Sequence, residues 1–164
     1  MPRIVREAEL SWDGSLARGG GHLTAATSGA FEALPFSLPS RVADPEGKTS
    51  PEELLAAAHG ACFTMSLGGE LARAGATVEH LDVRCTITMD EVEGVGHRIV
   101  ASEIAATGVV PGCDGAAFAQ AAEAAYRGCL SLVADHPGAL VSLAGIAVDR
   151  RQYPAARSLF DRAG

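Results

Sequence analysis

Cysteine is the residue type that offers the most chemistry here, and the 164-residue chain holds four: Cys62, Cys85, Cys113 and Cys129. A thiolate is both a nucleophile and a metal ligand. None of the four forms a C-x-x-C pair, and no histidine stands at zinc-like spacing, so a structural metal site is not expected. In a reducing compartment a structural disulfide is not expected either. For any one cysteine taken alone, the plain alternative is a small buried hydrophobe.

Cys62 stands out by its surroundings. It lies mid-way along Leu54 to Leu67, in a stretch with no charge between Glu53 and Glu70. Burial alone would raise its pKa and make it inert, and a mid-helix position gains little from the helix dipole. A nucleophilic Cys62 therefore needs a cation from elsewhere, since Arg73 is eleven residues later. Arg18 and Arg41, from the segments before the helix, are the candidates, because arginine stays charged when desolvated and its fork can also hold a carboxylate. Glu52 is such a carboxylate, ten residues before Cys62. At about 1.5 Å rise per residue, that spacing is roughly 15 Å in a continuous helix. Either the helix breaks near His59-Gly60, or an arginine bridges the two, or a partner chain brings its own residue over. Cys129, at a Gly-Cys position in a second helical segment, can serve as a resolving thiol if the two helices cross near Cys62.

The elements that must position these residues follow from the pattern. Ile4 to Trp12, Leu16 to Thr27 and Phe31 to Leu38, separated by Asp13-Gly14 and Ser28-Gly29, predict a three-stranded antiparallel meander. Pro39 to Lys48 reads as a loop. Thr49-Ser50-Pro51-Glu52-Glu53 is a helix start, with a capping hydroxyl, proline in the first turn, acids on the positive dipole end and a Ser50/Glu53 capping box. The helix runs to Arg73-Ala74 with Gly75 as its C-cap, and without a charged stripe it should be buried on most sides. From Glu79 to Val92, Val83, Cys85, Ile87 and Met89 alternate with polar residues, a half-buried strand. His97 to Val109 is a second strand with weaker alternation, ended by Val110-Pro111-Gly112. Asp114 caps a helix from Gly115 to Ala134, interrupted near Gly128-Cys129 and stopped at Pro137-Gly138. Leu140 to Val148 is a last strand. Strands, helix, strands, helix, strand reads as α+β, one domain over residues 1–149 with a tail or loose helix over 150–164.

Composition narrows the class. With 13 Lys+Arg against 20 Asp+Glu, the formal charge is -7, which argues against a nucleic-acid binder. No apolar run approaches the roughly 20 residues that span a bilayer. Met1 to Glu7 carries no long apolar core or cleavage site, so the chain reads as unprocessed and cytoplasmic.

The stretch Thr49-Ser50-Pro51-Glu52-Glu53-Leu54-Leu55-Ala56-Ala57-Ala58-His59-Gly60-Ala61-Cys62-Phe63 resembles the signature of the OsmC/Ohr family of thiol peroxidases. Trp12-Asp13-Gly14 with Arg18-Gly19-Gly20-Gly21, Val109-Val110-Pro111-Gly112 and Arg127-Gly128-Cys129 resemble further family segments, so the likeness spans about residues 8–148, nearest the OsmC branch through His59 and the Trp12 segment. The resemblance implies antiparallel sheets wrapped around two central helices in an intertwined homodimer. It implies Cys62 as the peroxidatic cysteine, Cys129 as the resolving one, Glu52 as the catalytic glutamate and Arg41, ahead of Arg18, as the catalytic arginine. The implied activity is reduction of organic hydroperoxides, with a dihydrolipoyl protein or another dithiol as reductant and no bound cofactor or metal. The alternative is a diverged, non-enzymatic dimer that binds a small apolar ligand. The chain departs from the pattern at Leu130, where OsmC proteins commonly carry proline after the second cysteine. Cys85 is expected as plain core, Cys113 as a more exposed loop thiol, and His59 as a satisfied helix histidine.

Overall fold

The computed structural model describes residues 3–131 and 140–148, with side chains described as far as Gly128. The chain divides into two compact units, Met1–Leu54 and Leu55–Gly164.

In the first unit, β1 (Glu9–Asp13), β2 (Gly20–Thr24) and β3 (Leu34–Phe36) form the expected antiparallel meander. Trp12 and Phe36 pack with ring centroids 5.7 Å apart. The expected loop after it is corrected by a short helix, α1 (Leu38–Val42). Its cause is local: Ser37 caps the helix by accepting from the Ser40 amide at 3.2 Å, and the Ser37 amide donates back to Ser40 Oγ at 3.1 Å. Pro39 fits a first helical turn, where its missing N–H costs nothing.

Helix α2 (Pro51–Arg73) starts where its capping signals stand. The Glu53 amide donates to Ser50 Oγ at 3.2 Å, but the Glu53 carboxylate accepts from Thr49 Oγ1 at 2.8 Å. It ends in a Schellman arrangement: Ala76 N–H donates to Leu71 O and Gly75 N–H to Ala72 O, with Gly75 at φ +78°. In the second unit β4 (His80–Val92) and β5 (Gly96–Val109) pair antiparallel along their length, and β6 (Leu140–Val148) joins β5 in parallel. Helix α3 (Gly115–Ser131) is capped by Asp114, whose Oδ1 accepts from the Ala117 amide at 2.8 Å. It runs unbroken through Gly128-Cys129, which corrects the expected interruption. Its continuation to Ala134, the stop at Pro137-Gly138 and the tail 150–164 lie outside the described residues.

The core of this unit is built from Phe63, Leu67 and Leu71 of α2, Ile104 and Ala106 of β5, and Phe118, Ala122 and Ala125 of α3. Alternation on β4 holds as expected, with Val83, Cys85, Ile87 and Met89 facing inward. Two expectations fail. Cys113 is buried, 5% exposed, because its amide closes a turn onto Val110 O and folds the thiol into the core. And α2 is not buried on most sides: Leu55 is 45% and Met65 73% exposed, because the sheet covers one face of the helix. Among the described residues no helix is long and apolar enough to cross a membrane.

Candidate functional site

In the first unit the local fold brings Arg41 and Glu52 together. Ser37, Ser40 and Thr49 are each buried below a tenth exposed. The Ser40 hydroxyl lies 2.9 Å from Ser37 O and 3.0 Å from Thr49 O. Thr49 also donates its amide to Pro35 O at 2.9 Å and bridges to Phe36. These bonds tie α1 to the residue just before α2, so Arg41, in the last turn of α1, meets Glu52, in the first turn of α2. The guanidinium reaches a single carboxylate oxygen twice, Nε to Oε1 at 2.9 Å and Nη2 to Oε1 at 2.7 Å. Glu52 Oε2 is buried and accepts no hydrogen bond from any described residue. Charge-assisted bonds of this kind are about twice as strong as neutral ones. Arg18 is exposed after the turn that follows β1, with no hydrogen bond or ion pair from its side chain to any described residue.

In the second unit Cys62 sits half-buried on α2 and packs at the edge of the core. At about 100° per residue, Phe63, Leu67 and Leu71 mark the sheet-facing stripe, and Leu55, Ala58, Cys62 and Met65 mark another on the far side. That second stripe is apolar and uncovered by its own unit, apart from the half-buried Cys62. The helix is unbroken at His59-Gly60, which closes the first of the three ways to connect Glu52 with Cys62. Cys129 falls within α3, two positions before its described end, and its side chain lies outside the described residues.

A polar cluster that sequence reasoning missed lies beside the core. His59 Nδ1 is 2.8 Å from Ser102 Oγ on β5, and Cys85 Sγ on β4 is 3.9 Å from His59 Nδ1 and 3.8 Å from Ser102 Oγ. Gly60 allows the approach: a Cβ there would stand 3.2 Å from Cys85 Cβ. Burial lowers the His59 pKa below its ordinary value. Burial raises that of Cys85, against smaller opposing hydrogen bonds from Ser102 and the Gly60 backbone. Tyr126 on α3 is pushed up to about 12, by burial and then by the Cys85 charge. His59 Nε2 and the Tyr126 hydroxyl are buried without a hydrogen-bond partner among the described residues. So His59 is satisfied at one nitrogen and not at the other, and Cys85 is core with a polar neighbour. The available signal was Ser102, a lone hydroxyl on the same strand face as Ile104 and Ala106. Among the described residues no group of three or more His, Cys, Asp or Glu could hold a metal ion.

Comparison with known proteins bears on the chain as a whole. The family model described as "OsmC-like protein" matches residues 44–134. Peroxiredoxin OsmC of Escherichia coli is 32% identical over 126 residues, 77% of this chain and 86% of that protein. Among solved structures, an organic hydroperoxide resistance protein from Elizabethkingia anophelis superposes with a TM-score of 0.67 at 20% identity, covering 90% of this chain and 100% of that one. An OsmC-like protein of unknown function from Vibrio cholerae superposes with a TM-score of 0.68 at 14% identity, over the same shares. Both share the fold.

Proposed function

The chain belongs to the OsmC-like family, and from that premise we propose that it is a thiol peroxidase that reduces organic hydroperoxides to alcohols. The observation that carries this reading is the position of Cys62: a half-buried thiol on an uncovered apolar stripe of α2. An apolar stripe suits the organic part of a hydroperoxide, and it equally suits a second copy of the chain. The reading therefore takes the protein as a homodimer in which this stripe is covered.

In the proposed reaction the Cys62 thiolate attacks the terminal oxygen of the hydroperoxide. An S–O bond forms, the O–O bond breaks, and the electron pair leaves on the alkoxide, which gains a proton and departs as the alcohol. Cys62 is left as a sulfenic acid. Arg41 is the cation that favours the thiolate and the developing oxyanion, with Glu52 orienting its guanidinium; Arg18 is the second choice. Cys129 condenses with the sulfenic acid, forming a disulfide and releasing water. An external dithiol, such as a dihydrolipoyl protein, resets the pair by exchange, each electron pair passing from dithiol to disulfide. No bound cofactor enters these steps.

The test is consumption of cumene or tert-butyl hydroperoxide with dihydrolipoamide, together with a disulfide map after one equivalent of peroxide. Turnover that falls to background in Cys62→Ser, and a Cys62–Cys129 disulfide, support the reading. The alternative, a non-enzymatic dimer using the same stripe to bind a small apolar ligand, predicts no thiol-dependent turnover and no such disulfide.

A further inference from the structure

The reaction above leaves His59 unused, although it stands one helical turn before Cys62 on α2. Residues three apart on a helix have Cβ atoms about 5–6 Å apart. The imidazole is anchored at one nitrogen and unpartnered at the other: Nδ1 meets Ser102 Oγ at 2.8 Å, while Nε2 is buried with no hydrogen-bond partner among the described residues.

The hydrogen-bond chain decides which nitrogen carries the proton. Ser102 Oγ has two described partners, His59 Nδ1 and Cys85 Sγ. If Cys85 S–H donates to Ser102 Oγ and Ser102 O–H donates to His59 Nδ1, both protons between the three groups have acceptors and the ring proton is left on Nε2. The reverse direction leaves the Cys85 S–H without an acceptor in the cluster. The first arrangement also places the stronger O–H donor on the short contact. Burial keeps Cys85 protonated and His59 neutral near pH 7. The ring then holds its proton on Nε2, a buried donor with no partner among the described residues.

Building on the peroxidase reading, we propose that His59 is a further catalytic residue of the same site: its Nε2–H donates a hydrogen bond to the oxygen that leaves the hydroperoxide at Cys62, and Ser102 is its positioning residue. As the S–O bond forms and the O–O bond breaks, negative charge collects on the leaving oxygen. The Nε2–H meets that charge. His59 keeps its proton throughout, and the alkoxide takes its own from solvent. A donor held in advance by a buried hydroxyl needs no reorganisation when the charge appears.

The test varies the leaving group. Single-turnover oxidation of Cys62 is followed with tert-butyl hydroperoxide, which expels a strongly basic alkoxide, and with peroxyacetic acid, which expels a weakly basic carboxylate. His59→Ala should lose on the order of a hundredfold with the alkyl hydroperoxide and far less with the peroxyacid. His59→Gln, whose amide can donate, should recover part of the loss. Ser102→Ala should show the same pattern at smaller size. Alkylation of Cys62 by iodoacetamide should be unchanged in all three, since the thiol's own activation is untouched. Equal losses with both oxidants, no loss in folded His59→Ala, or the same pattern in Tyr126→Phe overturns the role of His59 and leaves the peroxidase reading standing. A wild-type chain that oxidises Cys62 with neither oxidant overturns both.

Discussion

Two polar constellations lie on α2 or at its start, and they are opposites. At its first turn Arg41 and Glu52 form a charged pair, with side chains 39% and 13% exposed, held by a frame of buried serines and a threonine. Two turns on, His59, Cys85 and Ser102 form a neutral cluster against the core. A partly exposed ion pair contributes little to stability, because water screens it and two long side chains lose freedom. A buried neutral cluster matters to stability through what breaking it leaves behind, an unpaired polar group with no access to water. Charge is thus placed at small structural cost, and neutral polarity where it holds the helix against the sheet.

Removing the cation should give the largest effect. Arg41→Ala should lower peroxide turnover on the order of ten- to a hundredfold, the loss of a charge-assisted contact. Its melting temperature should stay within the shift expected of about 1 kcal/mol or less. Arg41→Lys should recover little, since an ammonium cannot reproduce the Nε and Nη2 contacts to one oxygen. Steady-state kinetics beside thermal unfolding reads both numbers. A large drop in stability with turnover intact would invert the contrast.

The second effect runs the other way. Ser102→Ala leaves His59 Nδ1 without its partner, and with the imidazole half-buried the cost should be about 1–2 kcal/mol of stability. Chemical denaturation measures it. A Ser102→Ala protein as stable as the wild type would mean that His59 re-pairs with Cys85 or water.

Legibility in the sequence follows the range of the interaction. The start of α2, its glycine cap and the alternation of β4 are local patterns, and each was readable from a few neighbouring residues. Helix α1 was hidden because Ser37 and Ser40 look like loop residues until they cap each other, and Pro39 reads as a breaker when it opens a helix. The burial of Cys113 is not legible in the sequence, because a loop position says nothing of which way its turn folds. Helix α2 looks buried in sequence because nothing polar marks its far stripe; within one chain, that stripe of Leu55, Ala58 and Met65 stays open. The Arg41–Glu52 pairing was one of several arrangements open to the residues. The cluster of His59, Cys85 and Ser102 spans α2, β4 and β5, and no spacing within any one of them announces it.

The smallest effect is also the cleanest signature of neutrality. His59 is held below its ordinary value of 6.5 by burial, so between the folded value and 6.5 the unfolded chain binds more protons. Stability contributed by the neutral ring is therefore full above 6.5 and is lost as pH falls towards the folded value. Cys85 is held above 9.0 by burial first, and Tyr126 is moved from 10.0 to about 12. Here the folded chain binds more protons, so stability declines as pH rises past 9.0 and on towards about 12. The three groups together predict a plateau between about 6.5 and 9.0, with a slope on each side. His59→Gln should flatten the acid slope and leave the alkaline one; Cys85→Ala should weaken only the alkaline slope, removing its onset at 9.0 and leaving the part that the burial of Tyr126 keeps above 10.0. Unfolding free energies measured across that range decide the matter, and an acid slope that survives His59→Gln would place a charge in the cluster where the hydrogen bonds require none.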